Sequence, residues 1–328
     1  MSDLSVEHLS AGALPALLDP ASTQCDLGDV WRHRRELIDQ LLLQTGGVLL
    51  RGFDVPSVAD FQAFAKGYGH PLLNYEFAST PRSAVSTGVY TSTEYPAHQH
   101  IPLHNEQAYT REWPMKIWFH CVTAPASGGE TPIADSRAIY RGMPPALRQR
   151  FADGLCYVRN YSEDFDLTWQ QVFQTESRAE AEAYCRRSAI ECEWKDDGEL
   201  RTLQRCQGVE RHPVTGEMVW FNQAHLFHAS NLQAEVRESL EDMLGADNLP
   251  RNVCFADGSA IPDGMLDEVR AVLQANTVIF PWQSGDILML DNMLAAHART
   301  PFSGPRKVVV AMAQPHGNLP AATTEDAR

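Results

Sequence analysis

His104-Asn105-Glu106 places an imidazole and a carboxylate two residues apart, and an extended backbone sends residues i and i+2 to the same face. Both side chains can then grip one ion. The same H-x-E spacing also arises by chance as two exposed polar residues, so a third donor has to decide. His297 is the candidate, just beyond the apolar stretch Ile287 to Leu290 and Asp291-Asn292. In a chain with twelve histidines, one at a strand end also reads as an ordinary structural residue. Two histidines and one carboxylate on one face of a metal leave three positions open, which suits Fe(II) working with oxygen. Zinc favours a closed or nearly closed tetrahedron.

The elements that must carry these donors are mostly short strands. From Ala84 to Phe119 the chain is rich in β-branched and aromatic residues broken by Pro96, Pro102 and Pro114, which predicts strands and ordered loops. Further strands are expected at Val48 to Leu50, Thr131 to Ile133, Ile190 to Trp194, Met218 to Phe221, Thr277 to Phe280, Asp286 to Leu290 and Lys307 to Ala313. Helical spacing predicts a helix capped by Asp29 and stopped at Gly46-Gly47, and a second from Val58 to Gly67 behind a Ser57/Asp60 capping box. Others are expected at Pro144 to Ala152, at Arg178 to Arg187 behind Ser177/Glu180, and after a cap at Asp263. The pattern points to one domain over residues 1–328: N-terminal helices, a mixed insertion at about 136–210 and a polar, frayed tail at about 318–328. Short strands with helices at the front and in insertions predict a mostly β jelly roll with a helical jacket, and leave another α+β arrangement open.

Composition narrows the function. Against 27 Lys plus Arg stand 42 Asp plus Glu, and a formal net charge of -15 repels a phosphate backbone, so no nucleic-acid partner is expected. The seven cysteines are odd in number, scattered and without a C-x-x-C pair, and read as reduced thiols. Met1 to Asp19 lacks a signal peptide's basic start and apolar run, and no stretch reaches the ~20 apolar residues of a membrane span. The expectation is a cytoplasmic protein with no membrane partner.

Four segments, in this order, resemble the taurine dioxygenase-like branch (TauD/TfdA) of the Fe(II)/2-oxoglutarate oxygenases. They are Gly47-Val48-Leu49-Leu50-Arg51-Gly52-Phe53, Leu103-His104-Asn105-Glu106, Gly128-Gly129-Glu130-Thr131-Pro132-Ile133-Ala134-Asp135, and Asp291-Asn292 through His297 to Gly304-Pro305-Arg306. Arg211 to Gly216 and Trp220-Phe221-Asn222 lie between them, and the likeness runs from about Gly46 to Ala313. The resemblance implies a double-stranded β-helix (jelly roll) with His104, Glu106 and His297 as the iron ligands. It implies Arg306 and the Thr131 hydroxyl as the binders of the 2-oxoglutarate cosubstrate, and oxygen as the second cosubstrate. A guanidinium suits that role, as a planar, bidentate, permanently charged partner for a carboxylate. Without the motif, Arg306 reads equally well as a solvated charge beside Lys307.

Glu106 departs from the many relatives that carry Asp in the iron motif. It places the chain nearer the clavaminate synthase-like and amino-acid-hydroxylating members, some of which act on aminoacyl groups tethered to carrier proteins. It argues against the related halogenases, in which a small residue replaces the carboxylate. The implied reaction is hydroxylation of a C–H bond in an amino acid or amino-acid-derived small molecule of secondary metabolism, free or carrier-tethered. Desaturation and epoxidation are the alternatives. Asn74, Tyr75, Gln99 and His100 lie where relatives often contact substrate. Asn292 and Arg299 are expected to support His297, while Trp220, Phe221 and Trp282 read as core and His225 and His228 as structural. The rival classes are a catalytically silent cupin-like binding protein and a zinc hydrolase. The full donor set with Arg306 speaks against the first, and the lack of H-E-x-x-H against the second. The sequence leaves the oligomeric state open.

Overall fold

The computed structural model describes residues 4–8, 14–20, 27–74, 83–92, 95–196 and 198–319. The apolar runs of the sequence become the centre of an eight-stranded sheet, where Gly47–Leu50, Ile287–Asp291, Glu112–Thr123 and Lys307–Gly317 lie side by side in that order. Ile287–Asp291 and Lys307–Gly317 both pair antiparallel with Glu112–Thr123. Alternation sorts their side chains. Trp118, Ile287, Met289, Val309 and Ala311 pack with Ile38, Leu42, Phe61 and Phe64 of the helices Leu27–Thr45 and Val58–Gly67. Ile117, Phe119, Leu288, Leu290, Val308 and Val310 point the other way, towards Ile133 and Ala295. Strands buried on both faces need apolar residues at every position, which is why they read as continuous runs.

Ile133 and Ala295 belong to a three-stranded sheet in which Ala295–Arg299 lies between Ile101–His104 and Ile133–Asp135. The protein is therefore mostly sheet, with helices against one side of the large sheet and the small sheet against the other. A third group, the four-stranded sheet of Glu191–Trp194, Leu200–Cys206, Leu155–Asn160 and Arg251–Phe255, carries its own core with Phe151, Val172 and Leu266.

Several expectations need correcting. Thr277 to Phe280 is not a strand, because only Val278 pairs, exchanging two hydrogen bonds with Ile133. The helix Asp263–Ala275 is preceded by Pro262, so Asp263 sits in its first turn and reaches Arg237 at 2.7 Å. The first helix starts at Leu27, which puts Asp29 inside it rather than at its cap. The insertion draws a strand, Arg251–Phe255, from well beyond residue 210. Asn318 is held by Arg111 and Glu210 rather than frayed, and residues 320–328 lie outside the described residues.

A single turn joins the two principal sheets. Asp291, fully buried, accepts the Met293 and Leu294 N–H groups at 3.1 and 3.2 Å through one carboxylate oxygen. The other accepts from Lys116 Nζ at 2.6 Å and from His212 Nε2 at 3.3 Å. His212 Nδ1 itself accepts the Val214 and Thr215 N–H groups, so the neutral ring carries its proton on Nε2. Burial would push the Asp291 carboxyl up, but Lys116 and His212 outweigh it and hold it well below the usual carboxylate range. The folded value lies below the unfolded one. The stability it contributes is therefore fully present above the unfolded value near ~4 and is lost as pH falls through the folded one. Lys116→Met leaves a buried carboxylate without its cation, and urea denaturation at neutral pH is expected to show a loss of about 3–5 kcal/mol. A loss below about 1 kcal/mol would mean that the pair does not hold this turn.

Candidate metal centre and active-site cleft

His297 lies directly opposite His104 in the antiparallel pairing of Ala295–Arg299 with Ile101–His104. Their rings sit 4.4 Å apart between centroids. Glu106 follows two residues beyond the end of its strand, and its Oε2 lies 3.9 Å from His297 Nε2. One ligand atom from each of the three residues falls within 4.8 Å of the others, and no other such cluster of three occurs among the described residues. Glu106 and His297 are buried. His104 Nδ1 meets the Pro102 carbonyl oxygen at 2.9 Å, which puts the ring proton there and makes Nε2 the unprotonated nitrogen. Phe119 packs on the His297 ring at 5.0 Å between centroids.

The expected support of His297 by Asn292 and Arg299 takes a different form. The Asn292 amide holds the Glu106 main chain, accepting its N–H at 2.7 Å and donating to its carbonyl at 2.9 Å. Arg299 donates to the carbonyls of Tyr95, Pro96 and Gln99 at 3.0, 2.8 and 2.9 Å, and so pins the loop that carries Gln99 and His100. Sequence reasoning missed Gln223, which donates to the Asn105 carbonyl at 2.7 Å. Its neighbours Trp220-Phe221-Asn222 were the only signal available.

The donors lie between two cavities. On one side, His104, His297, Thr131, Phe119, Ser92 and Arg306 line a narrow pocket. Arg306 Nε donates to the Gly129 carbonyl at 2.9 Å and NH1 to Ser92 Oγ at 3.2 Å, with no carboxylate in ion-pair contact among the described residues. Burial, reinforced by Arg299, brings its pKa down to about 10, which still leaves it charged at neutral pH. Gly129 is required here: its φ is +70°, and a Cβ would lie 2.9 Å from Arg306 Cδ. Trp282 Nε1 donates to Thr131 Oγ at 3.2 Å, so the threonine proton is left to serve another acceptor. Trp282 is buried as expected, yet it also orients this hydroxyl.

On the other side, His104 and Glu106 face a cleft of about 640 Å³. Gln99 and His100 line it, together with Gln223, His228 and the ion pair of Arg251 with Asp166. Burial, reinforced by Arg299, pulls His100 below its ordinary value and keeps it neutral near pH 7. Asn74 does not line this cleft. It is exposed at a separate cavity of about 360 Å³, beside Gln107 and Thr110, and Tyr75 lies outside the described residues. His225 is structural, donating from Nε2 to the Leu103 carbonyl at 2.8 Å, with burial pulling its pKa down to about 4.

Residues 14–312 match the family described as taurine catabolism dioxygenase TauD, TfdA family. The chain belongs to that family. It is an Fe(II)- and 2-oxoglutarate-dependent dioxygenase. It is 41% identical to the dapdiamide synthesis protein DdaC of Enterobacter agglomerans over 313 residues, covering 95% of this chain and 94% of that protein. It is 33% identical to a clavaminate synthase-like protein of Arabidopsis thaliana, covering 93% and 95% of the two chains. The crystal structure of PvcB from Pseudomonas aeruginosa shares the fold at a TM-score of 0.56 and 15% identity, covering 95% of this chain and 91% of that one. No helix among the described residues is long and apolar enough to cross a membrane.

The donor set fits the iron of this family: two imidazoles and one carboxylate brought together, with cavities beside them. Glu106→Ala removes the one anionic donor of the cluster while touching no packed apolar group. Anaerobic titration is expected to show Fe(II) affinity weakened at least about tenfold, the consequence of losing roughly 1.5 kcal/mol of binding. Unchanged affinity would move the metal site to other residues.

Proposed function

We propose that the enzyme hydroxylates an unactivated C–H bond of an amino acid or amino-acid-derived group in secondary metabolism, with iron held by His104, Glu106 and His297. The observation that carries the reading is the placement of these donors between a pocket lined by Arg306 and a larger cleft lined by both polar and apolar side chains. In this reading the eight-stranded and three-stranded sheets are the two faces of a double-stranded β-helix within one catalytic domain. Bound iron and 2-oxoglutarate supply the oxygen activation, with succinate and carbon dioxide as co-products.

The residues supply binding, orientation and exclusion of water. Arg306 pairs with the distal carboxylate of 2-oxoglutarate, and Thr131, whose oxygen accepts from Trp282, donates its proton to the same group. The Pro102 carbonyl keeps His104 in the tautomer that presents Nε2. Phe119 shields the His297 ring. Gln99 and neutral His100, held by Arg299, offer uncharged hydrogen bonds to substrate in the cleft. Asn74, which opens on the separate cavity, takes no part in holding substrate.

Three observations support an amino-acid-derived substrate over a sulfonate: Glu106 in the metal motif, the clavaminate synthase-like relative, and the likeness to a protein named for dapdiamide synthesis. The cleft volume leaves room for a substrate carried on a tether as well as a free one. A cytoplasmic location agrees with the cysteines remaining free thiols among the described residues.

Purified enzyme with Fe(II), oxygen and 2-oxoglutarate is expected to release succinate, faster with free amino acids or aminoacyl carrier proteins that include the true substrate. The product should gain 16 mass units, the weight of one oxygen atom. A loss of two units would replace hydroxylation by desaturation, and no succinate from iron-loaded enzyme across the panel would favour a silent binder. Arg306→Leu is expected to weaken 2-oxoglutarate binding at least about tenfold with Fe(II) affinity retained. If cosubstrate affinity is unchanged, the anchor is elsewhere, with Arg299 next in line.

A further inference from the structure

Glu106 stands where the strand ladder has ended. His104 is the last residue of its strand to pair with His297, so no neighbouring strand positions the carboxylate that follows. A side chain takes that place. Asn292 Oδ1 accepts the Glu106 N–H at 2.7 Å, and Nδ2 donates to the carbonyls of Glu106 and Pro114, each at 2.9 Å. The Asn292 main chain is equally committed, its N–H to the Met115 carbonyl at 2.9 Å and its carbonyl to Asn105 Nδ2 at 2.6 Å. Asn292 has no exposed surface, and it lies in the turn that Asp291 locks.

Resting on the reading of His104, Glu106 and His297 as the iron ligands, we propose that the Asn292 amide is a positioning clamp. It fixes the Glu106 main chain at a distance from the metal that a glutamate spans and an aspartate does not. The amide is suited to this because it both accepts and donates in one plane, copying the edge of a strand. A carboxylate at 292 would lose the donor and face two carbonyl oxygens. Because both N–H and C=O of Glu106 are gripped, its Cα cannot drift towards the ion without breaking buried hydrogen bonds. Shortening the side chain by one methylene then withdraws the carboxylate by roughly one C–C bond, about 1.5 Å.

The same turn carries His297 five residues further on. The clamp thus references the carboxylate and the second imidazole to one rigid segment.

The test is a double-mutant cycle in Mn(II) affinity, followed by loss of the free-ion paramagnetic resonance signal, with thermal midpoints measured on the metal-free proteins. Glu106→Asp alone is expected to weaken Mn(II) binding at least tenfold with an unchanged midpoint. In an Asn292→Ala background the freed main chain can approach the ion, and the added penalty of Glu106→Asp should shrink at least threefold. A merely structural role for Asn292 would lower the midpoint and leave the aspartate penalty equal in both backgrounds, which overturns the proposal. So does Glu106→Asp binding Mn(II) within twofold of wild type. Should Asn292→Ala fail to fold, Asn292→Asp, which keeps the acceptor and loses the donor, serves as the second background under the same criterion. Glu106→Ala separates the two claims. If it binds Mn(II) like wild type the ligand assignment fails, whereas a loss there with no coupling to Asn292 removes the clamp alone.

Discussion

His104 and His297 face each other across an antiparallel strand pair, and side chains in a strand alternate between faces. A slip of one residue would turn one imidazole away and separate the donors. The register is held from both sides. Ala295–Arg299 is flanked by Ile101–His104 and Ile133–Asp135, and Ile133 and Ala295 are buried against the large sheet. The same placement brings Thr131 and Arg306 to one side of the donors and Gln99 and His100 to the other.

Charge inside the protein is arranged against its overall sign. The chain carries a formal net charge of -15, yet the pocket beside the donors ends on a desolvated arginine with Arg299 nearby. The Arg306 guanidinium is engaged by the Gly129 carbonyl and the Ser92 hydroxyl, which fix its direction without neutralising its charge. Asp291 is the opposite case, a buried carboxylate matched to Lys116 and His212. One arrangement keeps a cation available for an anionic ligand, and the other spends its charges on holding a turn.

Most of the core was readable because it follows rules of short range. The apolar runs at Gly47–Leu50 and Ile287–Asp291 and the Ser57 and Ser177 caps at the starts of Val58–Gly67 and Arg178–Arg187 all appear where local pattern puts them. Asp29 and Asp263 lie inside their helices rather than at the caps, whereas the strand errors have one source, pairing between distant segments. Thr277 to Phe280 has strand composition, but only Val278 finds a partner. Arg251–Phe255 is not among the strands expected from local pattern, and it forms one by pairing with Leu155–Asn160.

The residue types determined the chemistry. Two imidazoles, a carboxylate and an arginine are visible as letters, and ligand chemistry depends on which atoms a side chain carries. Tertiary structure decided which residues hold them in place. Asn292 lies 186 positions from Glu106, and Arg299 lies 200 from Gln99, yet each meets its partner through backbone hydrogen bonds. Such contacts leave little trace in composition or spacing, because any segment presents the same N–H and C=O groups and only folding determines which of them meet.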